Sequence, residues 1–405
     1  MVSMHTSPLE TPGVGDAGGL NVYVAEVARR LGERGLDVDV FTRRTDAATP
    51  PVVEMSERTR VIHVPAGPAG PVAKEGLPPL VGEFADQVQR VSGDYDLLHS
   101  HYWLSGLAAL EVAARSRLPL VHTMHTMARV KNAARGRRQL KEPDSRGVGE
   151  ASVVRGADVL TANTVHEAAE LAEHYGARPD QTVVVPPGVD LHTFHPCDRG
   201  KSRAQLGIPQ DADVILFVGR IQPLKAPDVL IRAVARMVEH HPERRGRLKL
   251  MIIGSPSGPE AEWSSTLPAL AHALHLDDIV EFRPHSPRSE LFRWYCVSDV
   301  VGVPSYNESF GLVALEAQAC GRPVVATDVG GLRHAVDNRH TGLLVPGHGP
   351  AQWATALERV LDDRGLAARL GAHAAVHASG YSWDNSAAAT LNAYHVAQGN
   401  FAARR

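Results

Sequence analysis

Short β-branched apolar runs alternate with helical stretches from one end of the chain to the other, the pattern of parallel sheets built from βαβ units. A first set of runs falls at 2–5, 38–42, 61–64, 97–101, 120–123, 159–161 and 183–185. A second falls at 214–218, 250–253, 279–282, 300–303, 324–326 and 342–345. Between the first two runs of the first set, 21–33 carries Val24, Val27, Ala28 and Leu31 on one stripe of period 3.6, so it is expected to be a helix lying on a sheet. The Pro-Pro-Gly turn at 186–190 and the polar stretch at 196–203 separate the two sets. The pattern therefore predicts two doubly wound, Rossmann-like domains, 1–190 and 191–382, facing a central cleft at the carboxyl ends of their strands. A last helical segment, 383–398, has Ala387, Leu391 and Tyr394 on one stripe and is expected to return to the first domain.

Bulk properties narrow the class. A chain of 405 residues is too long for one core. A net charge of -3 implies neither a nucleic-acid nor a membrane-surface partner. Cys197, Cys296 and Cys320 show no paired spacing, which argues for a reducing compartment and against a zinc site. No apolar run reaches membrane-spanning length and no signal-peptide core follows Met1, so a cytoplasmic protein is expected.

Several stretches carry candidate chemistry. The run ending at Pro304 reads as a buried strand emptying into Glu308-Ser309-Phe310-Gly311-Leu312, with Ser309 or Asn307 capping a helix that starts near Phe310. Such a helix start suits a diphosphate. Glu308 would lie in the loop and Glu316 ~12 Å along the helix at ~1.5 Å per residue, a reach that spans a hexose and a ribose. Two solvated glutamates at a helix start are the bland alternative. Arg220 and Lys225 follow the first strand of the second set, where an Arg fork and a Lys point charge converge on one diphosphate and hold the charge of a leaving nucleotide.

Gly13-Val14-Gly15-Asp16-Ala17-Gly18-Gly19 lets backbone approach a ligand, but its spacing is not the dinucleotide fingerprint. Asp37 and Asp39 are expected to face solvent, which disfavours a hydride-transfer enzyme. His99 and His101 share a strand face that a metal could use, yet no third ligand of plausible spacing accompanies them. His125 reads as a polar contact to a transferred sugar. Lys74, Tyr102, Thr126 and Arg146 have the composition of a phosphomonoester site, although spacing alone does not bring them together.

Met4-His5-Thr6-Ser7-Pro8, Gly15 to Asn21 and His99 to Gly106, with Val130-Lys131-Asn132 and Arg220 to Ala226, make the chain resemble a family. It is similar to the retaining GT-B glycosyltransferases of the glycogen-synthase-like class, and among them to the D-inositol-3-phosphate glycosyltransferases of mycothiol biosynthesis. The likeness covers nearly the whole chain. The 308–316 stretch is common to the wider class, whereas the first and third stretches are narrower and bear on the acceptor.

The resemblance implies transfer of N-acetylglucosamine from UDP-GlcNAc to 1D-myo-inositol 3-phosphate with the anomeric configuration kept. It also implies a homodimer and no organic cofactor. Donor contacts would be Thr11, Pro12, Gly19, Arg220, Lys225, Ser286, Glu308 and Glu316, with Arg220, Lys225, Glu308 and His125 taking part in catalysis. Acceptor contacts would be His5, Asp16, Ala17, Gly18, Gly19, Leu20, Asn21, Lys74, Tyr102, Thr126 and Arg146. A structural Mg2+ would sit on Tyr295, Cys296, Ser298 and Arg322 through mainly backbone oxygens. Cys296 and Arg322 are poor ligands by side chain, although backbone ligation would tolerate them, and Gly330-Gly331-Leu332-Arg333 has leucine and arginine where a proline is common. Two rival readings keep the architecture: a UDP-sugar epimerase would turn over donor without acceptor, and a lipid mannosyltransferase would take a GDP donor and present a membrane-facing patch.

Overall fold

The computed structural model describes residues 1–13, 17–91, 93–134, 141–256 and 261–404. Asp16 and the basic stretch 135–140 lie outside them. The strands of the first lobe are β1 (Val38–Arg43), β2 (Val52–Ser56), β3 (Thr59–Val64), β4 (Leu98–His101), β5 (Leu120–Thr123), β6 (Val159–Ala162) and β7 (Thr182–Val184). They pair in the orders β1-β3-β2 and β4-β5-β6-β7. The run at 2–5 forms no strand. Val2 bridges Phe41 on one side and Ser100 on the other, and the backbone bonds continue as Ser3 N–H donates to Phe41 O at 2.9 Å and Met4 O accepts from Arg43 N–H at 3.3 Å, which joins the two ribbons at their centre. The hairpin strand β2, antiparallel to β3, was not expected from the sequence, because its Glu54 and Ser56 weaken the apolar pattern of a half-exposed edge.

The second lobe contains β8 (Asp213–Val218), β9 (Leu248–Ile253), β10 (Val280–Arg283), β11 (Val300–Val303), β12 (Val324–Thr327) and β13 (Gly342–Val345). All pair in parallel, in the order β10-β9-β8-β11-β12-β13. The central strands β8 and β11 are buried almost throughout, as β-branched runs covered by helices on both faces should be. Strand order reverses between β8 and β11, and in an open α/β sheet the crevice beyond that reversal receives ligands.

The chain passes between lobes at 186–190 and returns at 380–383, where Val189 N–H donates to Tyr381 O at 2.7 Å. Gly188 permits this crossing, since a Cβ there would lie 2.4 Å from the Trp383 nitrogen. The returning helix, Trp383–Ala403, is capped by the Ser382 hydroxyl. It buries Trp383 and Ala387 against Val24, Val27 and Leu31 of the first helix, and Ala393 and Ala397 against Val121 and Val159.

Two side-chain expectations fail. Cys197 and Cys296 are joined by a disulfide with Cα atoms 5.8 Å apart despite a sequence separation of 99, leaving Cys320 as a buried thiol. Sequence spacing gives no sign of such a bond, which depends on the linker passing beside the helix Arg288–Val297. Asp39 does not face solvent: its carboxylate takes Arg60 at 2.7 Å, the Tyr95 hydroxyl at 2.6 Å, and is 11% exposed.

Candidate active site

The two lobes face each other across a cavity of about 330 Å³. From the second lobe, Arg220 and Lys225 follow β8, Ser286 and Arg288 follow β10, and Glu308 to Glu316 follow β11. Lys225 Nζ forms an ion pair with Glu308 Oε2, so the cation and the loop carboxylate already share the cleft. Arg220 stands opposite the glycine loop of the first lobe: a Cβ on Gly18 would come within 3.6 Å of its Nε. Gln222, with its amide oxygen turned inward, accepts from Arg220 Nε at 3.2 Å.

The helix after β11 begins at Leu312 rather than near Phe310, and its cap residue Gly311 has φ 102° with no side-chain cap. Ser309 is committed elsewhere, its hydroxyl donating to His125 O on the opposite lobe. The first N–H groups of the helix therefore open on the cleft without a side chain across them. Glu316, 7% exposed, accepts from the Tyr295 hydroxyl at 2.9 Å and from Arg288 Nη2 at 3.1 Å. Burial raises its carboxyl pKa, opposed by Arg288. Arg288 escaped the sequence reading; its place as first residue of the helix Arg288–Val297, just after Ser286, is the signal that could have found it.

On the first-lobe wall, Tyr102 is the organising residue. Its ring lies between Lys74 Nζ, 4.6 Å from the centroid, and the Arg146 guanidinium at 5.0 Å, with the His5 ring 4.3 Å away. The structure thus brings together four residues that sequence left scattered. Tyr102 has φ 73° and ψ 149°, a region that L residues avoid, and such strain persists where surroundings over-determine it. Arg146 is 4% exposed and does not line the cavity: it donates to Thr126 Oγ1 and Glu150 Oε1, both at 2.8 Å, from behind the wall. Thr126 does line it.

His125 also lines the cleft, and its Nε2 meets His101 Nδ1 at 3.1 Å. Burial pushes His122 and His125 down to about 3, and lowers His5, His99 and His101 as well. His99 and His101 do share a face, with ring centroids 4.2 Å apart. His99 bonds Tyr394 and Thr123, and no cluster of three or more metal-ligating His, Cys, Asp or Glu occurs among the described residues.

Three other expected contacts are displaced. Ala17 and Asn21 are fully buried; Asn21 holds the loop by donating to Thr6 Oγ1 and Ser7 O, each at 2.6 Å, and by accepting from Gly18 N–H at 2.9 Å. Thr11 is exposed outside the cavity, whereas Pro12, Gly18, Gly19 and Leu20 line it. The magnesium expectation concerns mainly backbone oxygens; of the side chains at those positions, the Tyr295 hydroxyl is spent on Glu316, Cys296 is in the disulfide, the Ser298 hydroxyl donates to Tyr295 O at 2.8 Å, and Arg322 is a cation.

The sequence matches two families, one described as Glycosyltransferase Family 4 over residues 17–193 and one as Glycosyl transferases group 1 over 198–377. Sucrose-phosphate synthase from Thermosynechococcus elongatus superposes with a TM-score of 0.90 at 31% identity, covering 97% of both chains. Anabaena Alr3699/HepE, solved in complex with UDP-glucose, superposes with a TM-score of 0.77 at 21% identity, covering 96% of this chain and 99% of that one, and supports the fold alone. Fold and cleft together define a GT-B glycosyltransferase. The D-inositol 3-phosphate glycosyltransferase of Kineococcus radiotolerans is 51% identical over 100% of this chain and 96% of its own, and that of Streptomyces bingchenggensis is 50% identical over 97% and 88%. The chain belongs to the D-inositol 3-phosphate glycosyltransferase family. No described helix is long and apolar enough to cross a membrane.

Proposed function

We propose that this chain is a cytoplasmic enzyme that transfers N-acetylglucosamine from UDP-GlcNAc to 1D-myo-inositol 3-phosphate with retention, the first step of mycothiol biosynthesis. One juxtaposition carries the reading: the Lys225–Glu308 pair, Arg220 and Glu316 face the Lys74–Tyr102–Thr126 wall across a single cavity. Arg220, Lys225 and the open helix start at Leu312 suit the diphosphate, Glu316 the ribose, and Glu308 the amino sugar. Lys74 and Thr126 suit the acceptor phosphate, with Arg146 lending positive charge from behind Tyr102.

In the step this arrangement favours, the bond between the sugar's anomeric carbon and the β-phosphate oxygen breaks as UDP departs. The inositol hydroxyl forms the new bond on the same face and passes its proton to the departing phosphate oxygen. Arg220 and Lys225 hold the charge that develops on UDP. The Ser309–His125 bond ties the two lobes shut over the site, which excludes water and limits hydrolysis of the donor. The test is UDP release by purified protein given UDP-GlcNAc with inositol 3-phosphate or with inositol. A site built on a phosphate partner should discriminate by roughly 10⁴-fold; equal rates with both, or turnover without acceptor, would overturn the reading.

A further inference from the structure

We infer that in this chain the guanidinium of Arg322 takes the place of the divalent cation that the family likeness assigns to Tyr295, Cys296, Ser298 and residue 322. The expected position is the carboxyl end of the helix Arg288–Val297, where free carbonyls and the negative dipole end attract cations. Two of the expected carbonyls, those of Tyr295 and Ser298, and that of Val297 between them already have donors. Tyr295 O accepts both the Ser298 N–H at 3.2 Å and the Ser298 hydroxyl at 2.8 Å. Val297 O accepts from Arg203 Nε at 3.0 Å. Ser298 O accepts from Arg322 Nη1 at 3.5 Å, and Arg322 Nη2 reaches across to Cys197 O at 3.0 Å.

Arg322 therefore links the helix end to the interlobe linker, as a bridging ion would. The disulfide from Cys197 to Cys296 fastens the same two segments beside it. Mg2+ needs near-octahedral oxygens and tolerates no fixed cation in its shell. Here its seat is flanked by two guanidinium groups, Arg322 and the 1%-exposed Arg203, and the neighbouring Asp299 carboxylate is already engaged by Arg203 at 2.7 Å and by Arg199. The role of Arg322 there is positional. The same helix carries Arg288 and Tyr295, the two residues that hold Glu316, so bracing its carboxyl end fixes the ribose wall of the cleft.

The experiment measures metal content, thermal midpoint and UDP affinity of the purified protein with and without chelator, beside Arg322→Ala and Arg322→Lys. Expected are magnesium well below one ion per chain, a midpoint and a UDP Kd unmoved by chelator, and a lower midpoint in R322A that added Mg2+ partly restores. R322K should retain most of the midpoint and stay indifferent to Mg2+. Stoichiometric magnesium in the native chain, or a midpoint that falls on chelation, would overturn the inference. So would an R322A protein as stable as the parent. Should R322A fail to fold, the metal content and chelator response of the native chain still decide the matter. Loss of glycosyl transfer in an otherwise metal-indifferent protein would count against the proposed function and not against this.

Discussion

At the scale of single residues, charge placement in the cleft divides the work between the substrates. Lys225 faces Glu308 on the donor side, so Lys225→Ala removes stabilisation that matters most as UDP leaves; kcat should fall on the order of 10²-fold or more, read from initial rates at saturating substrates. An unchanged kcat removes Lys225 from the mechanism. Lys74 stands over Tyr102 on the other wall, and Lys74→Ala should raise the KM for inositol 3-phosphate while UDP affinity, measured by calorimetry, stays level. The buried histidines set a pH limit. His122 and His125 titrate near 6.5 when unfolded and at about 3 in the fold because burial disfavours their charged form. Their contribution is complete above 6.5 and is lost as pH falls toward 3, since the unfolded chain then binds protons the native state refuses. Each costs up to about 1.4 kcal/mol per pH unit. Glu167, raised to about 7 by burial, acts in the opposite sense between its unfolded value of 4.5 and 7, and burial raises Glu316, Glu170, Asp158 and Asp213 as well, but these five carboxyls stand against nine histidines lowered by burial. The urea midpoint should therefore be lower at pH about 5 than at about 7.5, and a midpoint that rises on acidification contradicts this account.

At the scale of elements, the decisive piece is the turn from β11 into its helix. Its apolar strand and the two glutamates were legible in sequence, and strand β11 falls where the pattern put it. The cap was not. Ser309 has the right chemistry to cap a helix, but a partner on the other lobe, His125 O, claims it, and Gly311 ends up at the helix start instead. Gly331 supports this turn from beneath: a Cβ there would lie 2.2 Å from Ser309 O and 2.4 Å from Phe310 Cα. Gly331→Ala should consequently push the 308–311 loop toward the cleft, costing about 1–3 kcal/mol of stability and weakening UDP-GlcNAc binding together. A loss of stability with donor affinity intact would show that the loop tolerates the shift. Tyr102 gives the same lesson on the other wall. Its residue type announced a site, yet its positive φ and its place between Lys74 and Arg146 exist only because β4, the 74–76 turn and the helix Asp144–Gly156 converge there.

At the scale of the whole molecule, the lobes are joined by two crossings and by a helix that belongs to the first lobe's core though it follows the second in sequence. Trp383 sits at the crossing, 1% exposed, edge-on to Tyr23 and packed among first-helix side chains. Trp383→Ala should cost roughly 3–5 kcal/mol and lower the thermal midpoint. It should also loosen the clamp across the cleft, seen as faster UDP-GlcNAc hydrolysis without acceptor. A destabilised variant whose hydrolysis stays at the parent level would separate stability from closure.

What the sequence by itself determined was the run of strands apart from the β2 hairpin and the incomplete 2–5 strand, the two-lobed doubly wound architecture and the chemical type of the cleft residues, because period, turn residues and local apolar runs act over a few positions. The tertiary structure alone decided which of those residues meet. Asn21 and Ala17, adjacent to contact residues in sequence, turn inward to hold a loop, and Arg146 works from behind Tyr102. Cys197 finds Cys296 across 99 residues, and Arg322 finds the carbonyls of Ser298 and Cys197. Each of those outcomes turns on distances between segments remote in sequence, which packing of whole elements fixes and no local pattern encodes.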